Sequence, residues 1–232
     1  MKFSFALVGV STLLFQILSI SAVSAQTASP QTLGFSDWCK VKVFMSTDTQ
    51  HTIDVLLEVA GTQDCEKAES KLKSLTSLSL FHKQINDISL LDSFTNLTTL
   101  DLTLNNIIDL KPLVSLINIT TLTLDHNNII NVKPLGDLSK LTNLSLRHNR
   151  IVDVTSLSSL NKLTNLNLSV NQVVDVKPLA SLNKLTTLDL YRNQIKEVTS
   201  LAHLNKLTTL DLRRNLFTVK VCPLNPASIC KF

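Results

Sequence analysis

The sequence predicts an α/β fold, a right-handed solenoid of stacked chain turns with a parallel β-sheet on its concave face. A 22-residue period repeats seven times from Leu75 to Ser228, and a fixed short period is typical of stacked units rather than of one closed core. Positions 4 and 6 of every unit are leucine, and position 9 is asparagine in all units but the first. Because alternation followed by a turn residue predicts a short strand, seven units predict seven parallel strands about 4.8 Å apart.

The return path of each unit is predicted to be short and not α-helical. Apolar residues at positions 11, 14, 17 and 20 are expected to fill the interior behind the sheet. Pro112, Pro134 and Pro178 fall inside this path, which favours 3₁₀ or extended segments over a full helix.

The asparagines at position 9 are predicted to form a structural ladder along the solenoid. A buried amide there can bond backbone groups that are left unpaired within and between units. The first unit, which lies at the edge, carries Lys83 instead. The ladder residues are Asn105, Asn127, Asn149, Asn171, Asn193 and Asn215.

Residues 35–74 lack the repeat and predict a helical N-terminal cap. Thr47 and Asp48 precede an apolar helical face that Gly61 ends, and a second helix is expected at residues 63–72. We expect four side chains to pack on the first repeat: Phe35, Trp38, Val41 and Phe44. Such a cap would cover the open sheet edge.

The first 25 residues predict a signal peptide. Lys2 precedes an apolar run, and Val23 and Ala25 supply the small residues of a cleavage site after Ala25. An uncleaved membrane anchor is the alternative. Residues 26–34 are polar and predicted to be flexible, and we expect no stable membrane insertion after the signal is removed.

All four cysteines lie at the two ends of the repeat array. In an exported chain an even number predicts disulfides, although four cysteines allow three connectivities. Because the ends of a stiff solenoid are far apart, we favour the local pairs Cys39–Cys65 and Cys222–Cys230 over long-range pairs. Disulfides are favoured over a zinc site, because zinc sites typically have short CxxC spacings that this sequence lacks. The last repeat is degenerate and is predicted to form the C-terminal cap together with residues 229–232.

The pattern LxxLxLxxNxIxDVxPLxxLxx resembles the leucine-rich repeat of the short, internalin-like bacterial type. It covers residues 75–228 in seven in-phase copies. The cysteine-bearing helical cap and the terminal CPLNPASICKF resemble secreted bacterial repeat proteins. The resemblance implies a curved solenoid that binds proteins or other macromolecules on its concave sheet, and it does not name the ligand.

Candidate ligand-binding residues are those that differ between units at positions where side chains leave the sheet. Positions 3, 5 and 7 alternate with the leucines and should face solvent, and position 8 continues at the turn. Arginine and tyrosine often anchor interfaces, so the last two units are expected to hold the centre of a binding site, with a second anchor beside the cap. The candidates are Phe81, His82, Arg147, His148, Asp189, Tyr191, Arg192, Asp211, Arg213 and Arg214.

Two columns of charge border the predicted sheet. Lysines end successive units, at Lys140, Lys162, Lys184 and Lys206, and acidic residues occupy position 13, at Asp87, Asp109, Asp153, Asp175 and Glu197. The basic rim offers an alternative function, binding of an acidic polysaccharide or envelope polymer. The simpler interpretation is that both columns keep the edges soluble.

The predicted function is an exported, non-enzymatic binding module that presents its concave sheet to a protein partner, secreted or retained in the periplasm. An enzyme inhibitor is a further alternative. Cleavage after residue 25 would leave 21 basic and 18 acidic residues, too small an excess to indicate nucleic acid. His126, His148 and Asp125 are a weak metal-site candidate, so we expect no metal and no cofactor, and a monomer.

Overall fold

The computed structural model describes residues 34–232, so the predicted signal peptide lies outside the described residues, as does the flexible segment except for Gly34. Parallel strands form one sheet in strict sequence order, which confirms the predicted solenoid with its parallel sheet. The strands are β1 (Ser77–Ser79), β2 (Thr99–Asp101), β3 (Thr121–Thr123), β4 (Asn143–Ser145), β5 (Asn165–Asn167), β6 (Thr187–Asp189), β7 (Thr209–Asp211) and β8 (Cys230–Lys231).

The register of the sheet follows the repeat exactly. Leu100 pairs with Leu122, and Leu166 pairs with Leu188, so each position-4 leucine stacks on its equivalent in the next unit. The leucines at positions 4 and 6 are buried in all seven units. A slip of one residue would turn this leucine row towards solvent, so burial fixes the register.

The return path uses 3₁₀ segments, as the prolines predict. Six five-residue segments occupy equivalent places in successive units: Ser89–Ser93, Lys111–Ser115, Lys133–Asp137, Thr155–Ser159, Lys177–Ser181 and Thr199–His203. Proline lies at the start of three of them, where a backbone N–H would have no acceptor within the segment, so its absence costs no hydrogen bond.

The seven strands predicted for the seven units are all present, and in the described residues the sheet has an eighth strand that was not predicted. The eighth, β8, comes from the C-terminal residues and pairs with β7, where Leu212 N–H donates to Lys231 O at 2.7 Å. The 22-residue pattern does not extend to these residues, and the tail nevertheless supplies backbone partners for the last repeat strand. The final unit is therefore not left as an open edge.

In residues 34–232, three α-helices precede the sheet: α1 (Phe35–Lys40), α2 (Thr47–Ala60) and α3 (Cys65–Ser74). Ser46 caps α2 through its Oγ, which accepts from Thr49 N–H, and Gly61 ends it in the left-handed conformation. The third helix starts two residues later than expected, because Asp64 is its N-cap and accepts from two backbone N–H groups. No helix among residues 34–232 is long and apolar enough to cross a membrane.

Helix α2 shares a hydrophobic core with the first repeat and is also bonded to it by polar contacts. Thr52 Oγ1 donates to Asp87 O at 2.7 Å, Thr49 Oγ1 donates to Asp87 Oδ2 at 2.6 Å, and Lys83 Nζ lies 3.0 Å from a Glu58 carboxylate oxygen. The lysine that replaces the first ladder asparagine thus bonds the helix instead of a preceding repeat.

The packing expected of the cap is only partly found. Phe35 is buried, with its ring 6.2 Å from that of Phe94 in the first repeat, and Trp38 is half-buried against the core. Val41 and Phe44 do not pack: they are 41% and 83% exposed. The chain leaves α1 through a 3₁₀ turn at Lys42–Phe44, which turns both side chains outward.

The described chain has two disulfides, one near each end. Cys39 is joined to Cys65, and Cys222 is joined to Cys230, the pairing favoured by the sequence. The first links α1 to α3, and the second ties the start of the C-terminal loop to β8. Each bridge is local and lies outside the central repeats.

The position-9 asparagines bond both their own unit and the preceding one. Asn149 Nδ2 donates to Leu124 O at 3.0 Å and Leu146 O at 3.1 Å, and its Oδ1 accepts from Ile129 N–H at 3.0 Å. The same bonds recur from Asn105 to Asn215. Each amide therefore links two layers of the solenoid through buried groups.

A second ladder, not anticipated from the sequence, runs through the threonines of position 2. Thr142 Oγ1 donates to Thr120 O at 3.0 Å, and Thr164 Oγ1 donates to Thr142 O at 3.0 Å. The pattern continues along the array from Thr98 to Thr208. Threonine at position 2 of all seven units was the available sequence signal.

Candidate functional site

The residues at positions 3, 5, 7 and 8 of the repeats form what we call the sheet face, the side of the sheet opposite the core. Its middle is shallow, and the accessible surface of its lining is mostly apolar. A depression of about 150 Å³ lies over β3 to β6, lined mainly by Thr121, Asn143, Asn165 and Thr187. A shallow surface of this kind suits a macromolecular ligand better than a small molecule enclosed in a pocket.

The backbone at positions 7 and 8 is held independently of its side chains. Position 8 is left-handed in all seven units, with φ between 53° and 57°. In the first six units its N–H donates to the position-7 carbonyl of the next unit, as from His126 to Arg147 at 2.8 Å and from Arg192 to Arg213 at 2.9 Å. Because these bonds are between backbone groups, the side chains can vary without loss of the scaffold.

At the C-terminal end of the sheet face, Tyr191 lies beside two guanidinium groups. The Cζ atoms of Arg213 and Arg214 are 5.6 Å and 5.8 Å from the centre of the Tyr191 ring. Both distances are within the range of a cation–π interaction. The structure thus brings together three of the residues that the sequence singled out.

Arg213 is held by a carboxylate of its own chain. Its Nε donates to Asp211 Oδ1 at 3.0 Å, and its Nη2 lies 2.5 Å from Asp211 Oδ2. Burial opposes ionisation of Asp211, but the hydrogen bonds from Arg213 outweigh it, so the pKa of Asp211 lies below its usual value. Arg213 and Asp211 are therefore a structural ion pair at the border of the site.

Asp189, the register partner of Asp211 on β6, behaves differently. Burial raises the pKa of the Asp189 carboxyl, and the Asp211 carboxylate adds to that shift. Its Oδ1 accepts from Tyr191 N–H at 2.9 Å, which fixes the backbone below the aromatic ring. Asp189 thus positions Tyr191.

Arg192 and Arg214 remain exposed and, within residues 34–232, lie within 4.0 Å of no carboxylate oxygen. They occupy position 8 of adjacent units, so their backbones are about one strand spacing, roughly 4.8 Å, apart. Arg147 is exposed two units away, and its charge reaches Asp189. The C-terminal half of the sheet face is consequently cationic.

His126 and His148 stack on each other in the middle of the same column, with ring centres 4.4 Å apart and planes inclined by 17°. Burial lowers the pKa of His126, and the charges of His148 and Arg147 lower it further. Asp125 Oδ1 is occupied by Ser145 Oγ and Arg147 N–H. Among residues 34–232, no group of three or more His, Cys, Asp or Glu side chains is placed to hold a metal ion.

The N-terminal end of the sheet face carries two exposed apolar side chains. Phe81 is 51% exposed, Leu104 is 39% exposed, and the ring of His82 lies 6.1 Å from that of Phe81. These residues lie six and five units from the C-terminal end, so the structure does not bring the two predicted anchors together. They are the opposite ends of one long surface.

The acidic column of position 13 has a structural role that the sequence did not suggest. Asp109 Oδ1 accepts from Lys111 N–H at 2.9 Å, and Asp175 Oδ1 accepts from Lys177 N–H at 2.8 Å. Each carboxylate therefore starts the 3₁₀ segment that follows it. On the basic rim, Lys140 Nζ donates to Asn118 Oδ1 at 2.7 Å, which bonds one rim lysine to its neighbouring unit.

One surface feature was missed by sequence reasoning. Four β-branched residues at position 12 form an exposed aliphatic stripe on the flank, away from the sheet face: Ile108, Ile130, Val152 and Val174, between 47% and 62% exposed. A groove of about 350 Å³ lies beside Ile130. The signal was visible in the repeat, because position 12 is apolar in these four units although it follows a buried position 11.

Comparison with known proteins gives the family. A family model for leucine-rich repeats, in two copies, matches residues 161–203. The structure of the internalin inlF from Listeria monocytogenes is 34% identical with a TM-score of 0.66; the match covers 71% of this chain and 48% of that one, so the chain spans about half of that internalin. Among curated proteins no significant match is found.

Two further solved structures extend the comparison. Internalin C2 (inlC2) of Listeria monocytogenes is 30% identical with a TM-score of 0.61, over 76% of this chain and 88% of that one. The leucine-rich repeat ectodomain of the Arabidopsis thaliana receptor kinase GASSHO1/SCHENGEN3, in complex with CASPARIAN STRIP INTEGRITY FACTOR 2, is 26% identical with a TM-score of 0.58, over 65% and 19%. The repeat family, the register of the sheet and the match to nearly all of internalin C2 make this chain an internalin-like leucine-rich repeat protein.

Proposed function

We propose that the chain is an exported, non-enzymatic binding protein that holds a protein partner on its concave sheet face, as a monomer. One observation carries the proposal: the side chains of positions 7 and 8 differ between units while backbone bonds hold both positions in place. Those variable positions concentrate an aromatic ring and arginines at one end, the residue types most often found to dominate binding energy.

The family supports a binding role. Leucine-rich repeat domains generally mediate protein–protein interactions, and the matching family model describes repeats, not a catalytic domain. The Arabidopsis ectodomain was solved in complex with another molecule, named as an integrity factor. Two disulfides support an oxidising compartment and hence the export that the N-terminal sequence predicts.

The proposal is tested by capture from the medium into which the producing cell exports its proteins. We choose Tyr191→Ala combined with Arg214→Ala, because Arg213→Ala would leave the buried Asp211 carboxylate unpaired and would confuse binding with stability. Arg150→Ala, an exposed arginine at position 10, is the matched control.

Capture of the partner should fall about tenfold or more in the double variant, as expected when two anchor residues are removed, and should be unchanged in the control. Equal capture by all three proteins would refute the sheet face as the binding site.

The alternatives give different outcomes in the same experiment. Binding of an acidic polysaccharide through the basic rim would weaken steeply with salt and would respond to substitution of Lys162 and Lys184, not of Tyr191. Inhibition would require that the captured protein is an enzyme whose activity falls on binding. Either result would change the partner class while leaving the fold intact.

A further inference from the structure

We propose that Arg192 and Arg214 bind the carboxylates of an acidic polypeptide segment of the partner, with the Tyr191 ring as the apolar surface between them. This inference rests on the proposed function and gives it a partner chemistry. It follows from which charges of the sheet face are already paired within the chain and which are not.

The three arginines at positions 7 and 8 of the last two units are not equivalent. Arg213 is bonded to Asp211 through two nitrogens, so its charge is largely neutralised. Arg192 and Arg214 are exposed and lie within 4.0 Å of no carboxylate in residues 34–232. Two guanidinium groups are therefore free to bond a ligand, and each presents a planar fork of donors that matches a carboxylate.

The carboxylates of this part of the sheet face are in turn held by their own chain. Asp125 Oδ1 accepts from Ser145 Oγ and Arg147 N–H, and Asp189 Oδ1 accepts from Tyr191 N–H. Lys231 on β8 adds a further positive charge close to Asp211. An approaching ligand consequently meets unpaired cations rather than free acids, which favours a negatively charged partner.

The arrangement favours a polypeptide over an anionic polysaccharide. Positive charge on the sheet face is concentrated at its C-terminal end, whereas the N-terminal end carries the exposed apolar side chains of Phe81 and Leu104. A uniformly anionic polysaccharide would be complementary to a face that is cationic along its whole length, which this sheet face is not. A protein segment can carry carboxylates at one point and apolar side chains at another, as this surface requires.

The spacing of the position-8 residues also suits carboxylates on alternate residues of an extended partner segment. Arg192 N–H is bonded to Arg213 O at 2.9 Å, so the backbone that carries the first arginine is fixed relative to the second unit. The backbones of Arg192 and Arg214 are about 4.8 Å apart, and long side chains allow their forks to reach acidic groups on alternate residues of an extended segment, about 6.6 Å apart.

The test uses fluorescence anisotropy with a labelled twelve-residue peptide that contains four glutamates, and with its counterpart in which every glutamate is glutamine. Wild-type protein should bind the glutamate peptide at least tenfold more tightly than the glutamine peptide. Arg192→Gln combined with Arg214→Gln should remove that difference, and Arg150→Gln should keep it. Thermal midpoints are compared to show that all variants fold.

The inference is overturned if wild-type protein does not prefer the glutamate peptide, or if the double glutamine variant still does. It is also overturned if polygalacturonate binds through Arg192 and Arg214 more tightly than the peptide, which would assign the site to polysaccharide. Native capture with Tyr191→Ala alone and with Arg192→Gln combined with Arg214→Gln separates the two proposals. Loss of capture in the first variant but not in the second would refute the acidic partner and leave the sheet-face site standing.

Discussion

Replacing Asn149 by alanine removes one step of the asparagine ladder and measures how strongly the layers are joined. The amide makes short bonds to three buried backbone groups: Ile129 N–H, Leu124 O and Leu146 O. Only the first loses its partner. Leu124 O still accepts from Asn127, and Leu146 O still accepts from the amide of the next ladder residue.

The expected loss of unfolding free energy follows from this difference. One buried N–H without a partner costs about 1–3 kcal/mol, and two weakened carbonyls bring the total to about 2–4 kcal/mol. The same change at Asn215 should cost only about 1 kcal/mol, because that residue is partly exposed and water can replace the lost bonds.

Urea unfolding followed by far-UV circular dichroism measures both variants against wild type and against Asn106→Ala, an exposed asparagine at position 10. Unfolding of a short repeat array is cooperative enough for this comparison. If Asn149→Ala and Asn215→Ala lose the same unfolding free energy, or if Asn149→Ala loses no more than Asn106→Ala, the asparagine ladder does not stabilise the contact between layers as proposed.

Three further results are expected. Val170 is β-branched in the left-handed region (φ 57°), so Val170→Asn should stabilise the fold by about 0.5–1 kcal/mol in the same urea assay, and a loss would contradict the strain argument. The pKa of His126, followed by NMR, should lie below about 6.5 and rise in His148→Ala. Because His126 then binds a proton more readily in the unfolded chain than in the folded one, the free energy of unfolding should fall as the pH drops through about 6.5. Below the pKa of His126 in the folded protein this group causes no further loss. A His126 pKa at or above the usual value would refute this. Replacing Cys222 and Cys230 by serine should speed hydrogen exchange in β7 and β8 but not in β4, whereas uniform acceleration would show that the bridge supports the whole array.

The repeat made most of the fold predictable. Leucines at positions 4 and 6 fix the strands and their register, because a strand buried on one side tolerates no slip. Prolines such as Pro112 exclude a helical return path. The pattern recurs seven times and each unit packs against equivalent units, so each copy supports the same structural prediction.

The ends were less predictable, because they lack that repetition. The tail strand at Cys230–Lys231 has no leucine alternation, and it forms because β7 offers unpaired backbone groups. Phe44 was expected to pack on the first repeat, but it lies in the 3₁₀ turn at Lys42–Phe44 and is exposed to solvent. Local backbone geometry decided both cases.

Within the candidate site, sequence reasoning identified residues but not their pairing. Arg213 and Arg214 are adjacent and chemically identical, and only the structure shows that the first is bonded to Asp211 while the second is free. Arg214 is itself in the left-handed conformation and Arg213 directly precedes it, and a residue count does not encode the different directions that their side chains take. The division of this arginine pair into one residue bonded to Asp211 and one without a carboxylate partner in residues 34–232 is therefore visible only in the structure.

A photo-crosslinking amino acid placed on either side of one repeat shows whether a protein partner lies on the sheet face. Thr187 lies on the sheet face in β6, and Ala202 is exposed on the 3₁₀ segment of the same unit. We predict that the probe at position 187 forms an adduct with a protein from the native medium, that the adduct is lost with Tyr191→Ala, and that the probe at position 202 forms none. An adduct at position 202 with none at position 187 would contradict the account.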